Sequence, residues 1–407
     1  MSAAAEGRTF GWLDALRRTM ERPLASYQLV LGSSGLLLGL GLIMVLSASS
    51  VRAYELYGNQ FAIVERQLLF AALGLAGAFI VARMPLATLR KLILPALVAS
   101  ILLVAATFVP GVGIEVQGNR NWIPVVGGFR LQPSEFAKLA LVLWIAHHYA
   151  GRVKRLKEPR LILLPMLLVA GLVSALVVAQ HDLGTASVLF LIVVGMAWVA
   201  GLPRKWMTAM VAGVSVISVF FVATSPHRVV RLFSFLNPSA DPENAGYQAI
   251  HALMGFARGG FWGVGLGGSR QKWGSSLPEA HTDFILAIIG EELGLAGTLV
   301  VLVLFAALGV AGVRIATRTR DPFVRFAAAG ITIWIMAQAV INIGMVVGLL
   351  PVIGIPLPFI SYGGSSLLVT LICAGLLLNF ATTEPGAKRA LEASKQRRAR
   401  RAAARRR

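Results

Sequence analysis

The sequence predicts an all-α polytopic membrane protein of about ten transmembrane helices, with a large extracytoplasmic loop between the seventh and eighth. Three observations carry that expectation. Of 407 residues, 57% are hydrophobic and only 14% charged, where a soluble protein of this size carries roughly 25% charge. The apolar residues fall in blocks of roughly 18–25, the length a helix needs to cross about 30 Å of hydrocarbon. Basic residues are abundant in one connection and scarce in the next.

Residues 1–26 are polar and basic and read as a cytoplasmic N-terminal segment. The first apolar block, 27–48, is too long for a secretory signal and has no small-residue cleavage site after it, so it reads as a retained helix. Further helices are expected near 64–82, 88–109, 133–150, 161–179, 183–200, 207–225, 284–313, 326–348 and 365–382, giving a membrane domain over 27–382. With the N-terminus inside, the cytoplasmic segments hold Arg83, Arg90 and Lys91, then the cluster from Arg152 to Arg160. Next come Arg204 and Lys205, then Arg314 to Arg325. Adding both ends, 28 of the 38 lysines and arginines lie inside, nine outside, and Lys138 within a helix. The alternation never breaks, as topology set by positive residues requires. Both termini are expected in the cytoplasm.

The formal charge of +20 is thus a topology signal, and nucleic acid is not an expected partner. The tail, 383–407, is nearly all Ala, Arg and Lys. It reads as disordered or as a helix on the bilayer, held to anionic lipid at roughly 1 kcal/mol per basic residue. The single cysteine, Cys373, excludes disulfides and thiolate clusters within the chain. Two outer segments, 110–132 and 226–283, are longer than a connection requires, and long ordered loops tend to be functional. The second contains Phe233, Phe235, Tyr247, Leu253, Phe256 and Trp262, which should fold it back onto the helices.

Polar groups in or beside apolar spans are costly, and each is a candidate functional group. Glu135 and Lys138, three apart on one helix face, either pin helices together as an ion pair or line a polar cavity. Gln180 to Thr185 breaks two apolar runs, with Asp182 a plausible cap for the next helix. Asp283, at the end of Pro278-Glu279-Ala280-His281-Thr282-Asp283, precedes an apolar helix carrying Glu291 and Glu292. It suits a cap, or a general base whose pKa an apolar wall raises. The prolines and glycines from Gly348 to Gly364 forbid a straight helix. They fit an interfacial turn, or a broken segment that brings backbone amides near a ligand. No nucleotide-binding loop, metalloprotease motif or nucleophile elbow is present, and the glycines from Gly263 to Gly268 lack a Rossmann context.

These motifs, in this order, resemble the SEDS family of bacterial cell-wall polymerases, and its division branch more than its elongation branch. The matching segments include Gly118 to Ile123, Gln132 to Glu135, Asp182 to Thr185, Asn237-Pro238, Gly246 to Gln248, Gly265 to Gly267, Gln271-Lys272, Leu277 to Phe284, Gly290 to Gly294 and Ser361 to Ser365. Two positions depart from the family pattern. His181 stands where proline is usual, and Asn121 where a second basic residue is common.

The resemblance implies a peptidoglycan glycosyltransferase that polymerises lipid II during septal wall synthesis. The family's catalytic acid falls on Asp283, its important tryptophan on Trp122, and its acid and lysine pair on Glu135 and Lys138. Asp283 would take the proton from the acceptor's 4-hydroxyl while undecaprenyl diphosphate leaves. Arg120, Arg228, Arg231, Arg258 and Lys272 are the cations expected to meet that leaving group. Glu279, His281, Ser361, Gly363 and Gly364 are expected around the substrate. No organic cofactor is implied, and a divalent cation, Mg or Mn, is a candidate. Expected partners are lipid II with its growing glycan strand, a class B penicillin-binding protein transpeptidase and other divisome membrane proteins. The expected location is the bacterial inner membrane at the division septum. A flippase for the lipid-linked precursor and a non-catalytic division scaffold are the rival readings.

Overall fold

A computed structural model describes residues 22–393, except 117, 126–128, 157, 224–234, 244–245, 274–275 and 391. Twelve α-helices account for most of it. The first seven are α1 (Ala25–Tyr57), α2 (Ala62–Arg83), α3 (Leu86–Ala106), α4 (Pro133–Ala150), α5 (Pro159–Ala179), α6 (Leu183–Val199) and α7 (Arg204–Ala223). After the large loop and its own helix α8 (Tyr247–Gly259) come α9 (Ile285–Glu292), α10 (Gly294–Arg318), α11 (Pro322–Val346) and α12 (Gly364–Ala381).

Local chemistry sets the helix ends. Asp182 caps α6 by accepting Thr185 N at 2.9 Å. Asp321 does the same for α11, accepting Phe323 N at 2.9 Å, with Pro322 at the first helical position, where its missing N–H costs nothing. The two most buried spans, α11 and α12, form the centre. Helix α12 lies along α2, and α11 packs against α4, α6 and α10.

Among the described residues, seven helices are long and apolar enough to cross a membrane: α1, α2, α3, α5, α10, α11 and α12. Helix α4 carries Glu135, Lys138 and two histidines, and α6 has only 17 residues, so neither these nor α7 reach that measure. This is a multi-pass membrane protein.

Two features depart from the helix-only expectation. Between the third and fourth helices, β1 (Ile114–Val116), β2 (Asn119–Val125) and β3 (Phe129–Leu131) form a three-stranded antiparallel sheet in that order. The expected helix over 284–313 is broken: α9 ends at Glu292, and Gly294 opens α10 with φ +69°. The cause is local, because Glu291 and Glu292 turn into the large loop, where buried carboxylates need partners. Residues 347–363 run without regular structure between α11 and α12, yet Leu357, Phe359 and Ile360 are buried. Irregular backbone at such depth survives only where protein groups satisfy it. At the tail's root, residues 385–390 are helical and Ala387 is buried. The remaining basic tail, with its expected lipid contact, lies outside the described residues, as do residues 1–21.

Candidate active site

The sheet, the large loop and the 347–363 segment gather at one end of the bundle around a cavity of about 3230 Å³. Asp283 is half-buried and lines it. The aspartate ends a tight turn in which Glu279 has φ +57°, a left-handed value that a glutamate holds only when its surroundings fix it. Thr282 Oγ1 donates to Glu279 Oε2 at 2.8 Å. Three successive carbonyls of this turn are gripped from outside it. His281 O accepts Tyr362 N at 2.9 Å, Thr282 O accepts Ser361 Oγ at 2.6 Å, and Asp283 O accepts Asn342 Nδ2 at 2.8 Å.

The electrostatics follow from that placement. Burial first, and the neighbouring Glu279 second, push the Asp283 carboxyl up to about 7, the range a general base needs at neutral pH. Burial pulls His281 down to about 4 against the opposing pull of Glu279, so its ring is neutral at that pH. Arg52 stands 3.9 Å from Glu279. Arg66 lies over the Tyr57 ring at 4.9 Å. Burial raises the Tyr362 phenol, while Arg66 and Arg130 nearby oppose that rise. Arg52, Arg66 and Arg130 all line the cavity that holds Asp283.

Trp122 lines the same cavity from β2, and the strand is fixed by a small polar knot. Asp182 Oδ2 accepts Asn121 Nδ2 at 2.8 Å, Gln132 Nε2 at 3.0 Å and Thr185 Oγ1 at 2.9 Å. Deeper lies the other acid. Lys138 Nζ donates to Glu135 Oε1 at 2.7 Å and to Gln338 Oε1 at 3.2 Å, with both charged residues almost fully buried. Glu135 Oε2 has no hydrogen-bond partner among the described residues, and both residues border the cavity. Glu135 and Lys138 thus form an ion pair that also borders the cavity.

The cavity thus brings together Asp283, Trp122, Glu135, Lys138, Glu279, His281, Gly363 and Gly364. It does not include Arg258, Lys272, Arg120 or Ser361. Arg258 is bound to Glu291 at 2.8 Å and Lys272 to Glu292 at 3.0 Å, so their charge is spent inside the protein. Ser361 is buried and uses its hydroxyl on Thr282 O and Leu357 N. Arg228 and Arg231 lie outside the described residues. Among the described residues, the arginines that line the cavity at the Asp283 end are instead Arg52, which faces Glu279, Arg66 and Arg130. Arg52 and Arg66 flank the α1–α2 turn on the side that topology assigns to the large loop, and that placement was the signal for them. Among the described residues no three His, Cys, Asp or Glu side chains converge as metal ligands.

From α5 the cavity takes a wall running from Val178 down to Arg160 at the helix's far end, a reach of nearly 30 Å at 1.5 Å per residue. That stretch is faced by apolar groups of α6 and α7. A membrane-embedded helical body with an acid and arginines at one end of a long apolar channel defines a class of protein that handles polar groups on lipid. The chain belongs to the family described as Cell cycle protein, FtsW/RodA/SpoVE, which matches residues 27–385. It is 43% identical over 394 residues to a "Probable peptidoglycan glycosyltransferase FtsW" of Mycobacterium bovis, covering 97% of this chain and 74% of that one. It is 41% identical to the "Stage V sporulation protein E" of Bacillus subtilis, over 84% and 93% of the two chains. A solved structure described as "Structural coordination of polymerization and crosslinking by a peptidoglycan synthase complex" matches with TM-score 0.72 and 28% identity, over 87% of this chain and 97% of that one.

Proposed function

We propose that the chain is a peptidoglycan glycosyltransferase that polymerises lipid II, with Asp283 as general base. The observation that carries this is one cavity holding a carboxyl raised to about 7, three arginines at the same end and an apolar channel. The Asp283 carboxylate accepts the proton of the acceptor's 4-hydroxyl as that oxygen bonds to the donor's anomeric carbon. The bond from that carbon to the diphosphate breaks with inversion, an α donor giving a β product. Arg52, Arg66 and Arg130 supply positive charge where the diphosphate departs, stabilisation that is worth most in a site shielded from water. The lipid chains stay in the channel between α5, α6 and α7. No covalent enzyme intermediate is needed.

The large loop faces the extracytoplasmic side of the inner membrane and both termini face the cytoplasm. A class B penicillin-binding protein is the expected partner, the solved relative being part of a synthase complex, and the septum is the expected site of action.

The test is polymerisation of labelled lipid II by the purified chain. Asp283→Asn is expected to abolish glycan strands while folding and membrane insertion survive; a fully active variant ends the general-base reading. The parent's rate should rise with pH through about 7 as the carboxyl ionises. Stability should move the other way. The folded pKa stands above the carboxyl's ordinary 3.8, so the stability of the protonated form is present below that value and lost as the pH rises through about 7. Above that pH, Asp283→Asn should melt higher than the parent. A second reading, lipid translocation, draws on the reach of the cavity to Arg160; transport into vesicles with no polymer formed would favour it.

A further inference from the structure

We infer that Asn342 and Ser361 are positioning residues for Asp283, forming with the Tyr362 amide a cradle that fixes the backbone from which the carboxylate enters the cavity. This rests on Asp283 acting as the base proposed above. Neither residue lines the cavity, and Asn342 is 0% and Ser361 4% exposed, so both act on the substrate only through the aspartate.

Asn342, near the end of α11, spends both its N–H groups. One donates to Asp283 O at 2.8 Å, the other to Ile355 O at 2.7 Å. Its Oδ1 has no partner among the described residues, so the amide is held there for its two donors. Ile355 follows Gly354, where an added Cβ would stand 3.4 Å from Asp283 Oδ2. One side chain therefore spans both walls of the carboxylate's slot, the turn that bears it and the strand of backbone facing it. Gly354 has φ +78°, so this wall keeps its shape without a side chain intruding on the slot. Ser361 braces the second carbonyl. Its hydroxyl donates to Thr282 O at 2.6 Å and accepts Leu357 N at 2.8 Å. The irregular 355–362 stretch is thus the frame of the base. Losing a brace would let the turn shift, and displacements of about 1 Å at a reacting group can cost 100-fold in rate.

The experiment is steady-state polymerisation of lipid II by the purified full chain, at pH values on both sides of 7, with Asn342→Leu, Ser361→Ala and Ser361→Thr. Asn342→Leu and Ser361→Ala should lower kcat roughly 10- to 100-fold with KM unchanged. Their pH–rate profiles should shift to lower pH, because a loosened Asp283 moves toward water and away from Glu279. Ser361→Thr keeps the hydroxyl and should recover most of the rate. Parental kcat in both loss variants overturns the proposal, and so does a loss at Ser361→Ala that Ser361→Thr does not restore. An unshifted pH profile alongside a lowered melting temperature assigns the residues a purely structural role and also overturns it. If Asn342→Leu does not fold, the Ser361 pair decides. An active Asp283→Asn control identifies failure of the underlying general-base reading separately.

Discussion

A lysine and a glutamate sealed together in α4 set the energetics of a single residue in this fold. Lys138 meets Glu135 at 2.7 Å and stands 4.9 Å over the Trp334 ring, while Trp334 Nε1 and Lys138 both donate to Gln338 Oε1. Removing one member of a buried pair leaves a charge without compensation and costs about 3–5 kcal/mol, whereas removing both often costs less. Glu135→Ala should therefore lower the melting temperature more than Glu135→Ala combined with Lys138→Ala. Additive losses in the double variant would argue against direct coupling. The two departures from the family's sequence pattern also find their account at this scale. Asn121 and His181 meet at one junction, where Asn121 bonds Asp182 and Arg120 N donates to Gln180 O at 3.1 Å. His181 has φ +64°, which a proline ring cannot adopt. The turn here is therefore one that the usual residue could not make, and the strand that carries Trp122 is tied to it.

The break between α9 and α10 shows what one element contributes to the site. Glu291 accepts from Arg258, Ser269 Oγ and the amide of Arg270. Glu292 accepts from Ser47 Oγ and Lys272. Both acids lock the large loop against the short helix that starts beside Asp283. Gly294 makes the break possible: φ is +69°, and a Cβ there would overlap Gly263 N and Phe261 O. Gly294→Ala should cost about 1–3 kcal/mol from the backbone conformation alone, read as a lower melting temperature with faster amide exchange over residues 260–273. Unchanged exchange there would show that the junction does not hold the loop. Apolar blocks made the long helices legible in sequence, and Asp283 with its motif was legible through resemblance. The break was not, because Ile285 to Phe305 reads as one apolar run interrupted only by the two acids. Nor was the sheet, whose strands of three to seven residues carry too few alternations to stand out from a loop. Arg258 and Lys272 looked free for a substrate because a sequence gives a cation's side of the membrane and not its partner.

At the scale of the whole molecule, the arrangement answers why sugar chemistry should be done inside a bundle of apolar helices. The polar end of the cavity holds the acid and the arginines, and the rest is an apolar wall extending to Arg160. Burying a hydrocarbon chain in such a channel gains about 0.8 kcal/mol per methylene relative to water. Relative to lipid the gain is small, so under the proposed function the channel would hold the substrate's lipid in register with Asp283 and add little raw affinity. That distinction can be tested without touching the polar site. Gly171 of α5 and Gly213 of α7 both line the cavity, and a Cβ at either meets open space. Phenylalanine at these positions fills the channel without displacing backbone, so Gly171→Phe and Gly213→Phe should fold and melt like the parent. Their KM for lipid II should rise several-fold, and the effect should shrink for a substrate analogue with a short lipid chain that does not reach these residues. Equal effects on long- and short-chain substrates, or none on either, would place the lipid elsewhere on the bundle and leave the long apolar wall without a part in the reaction.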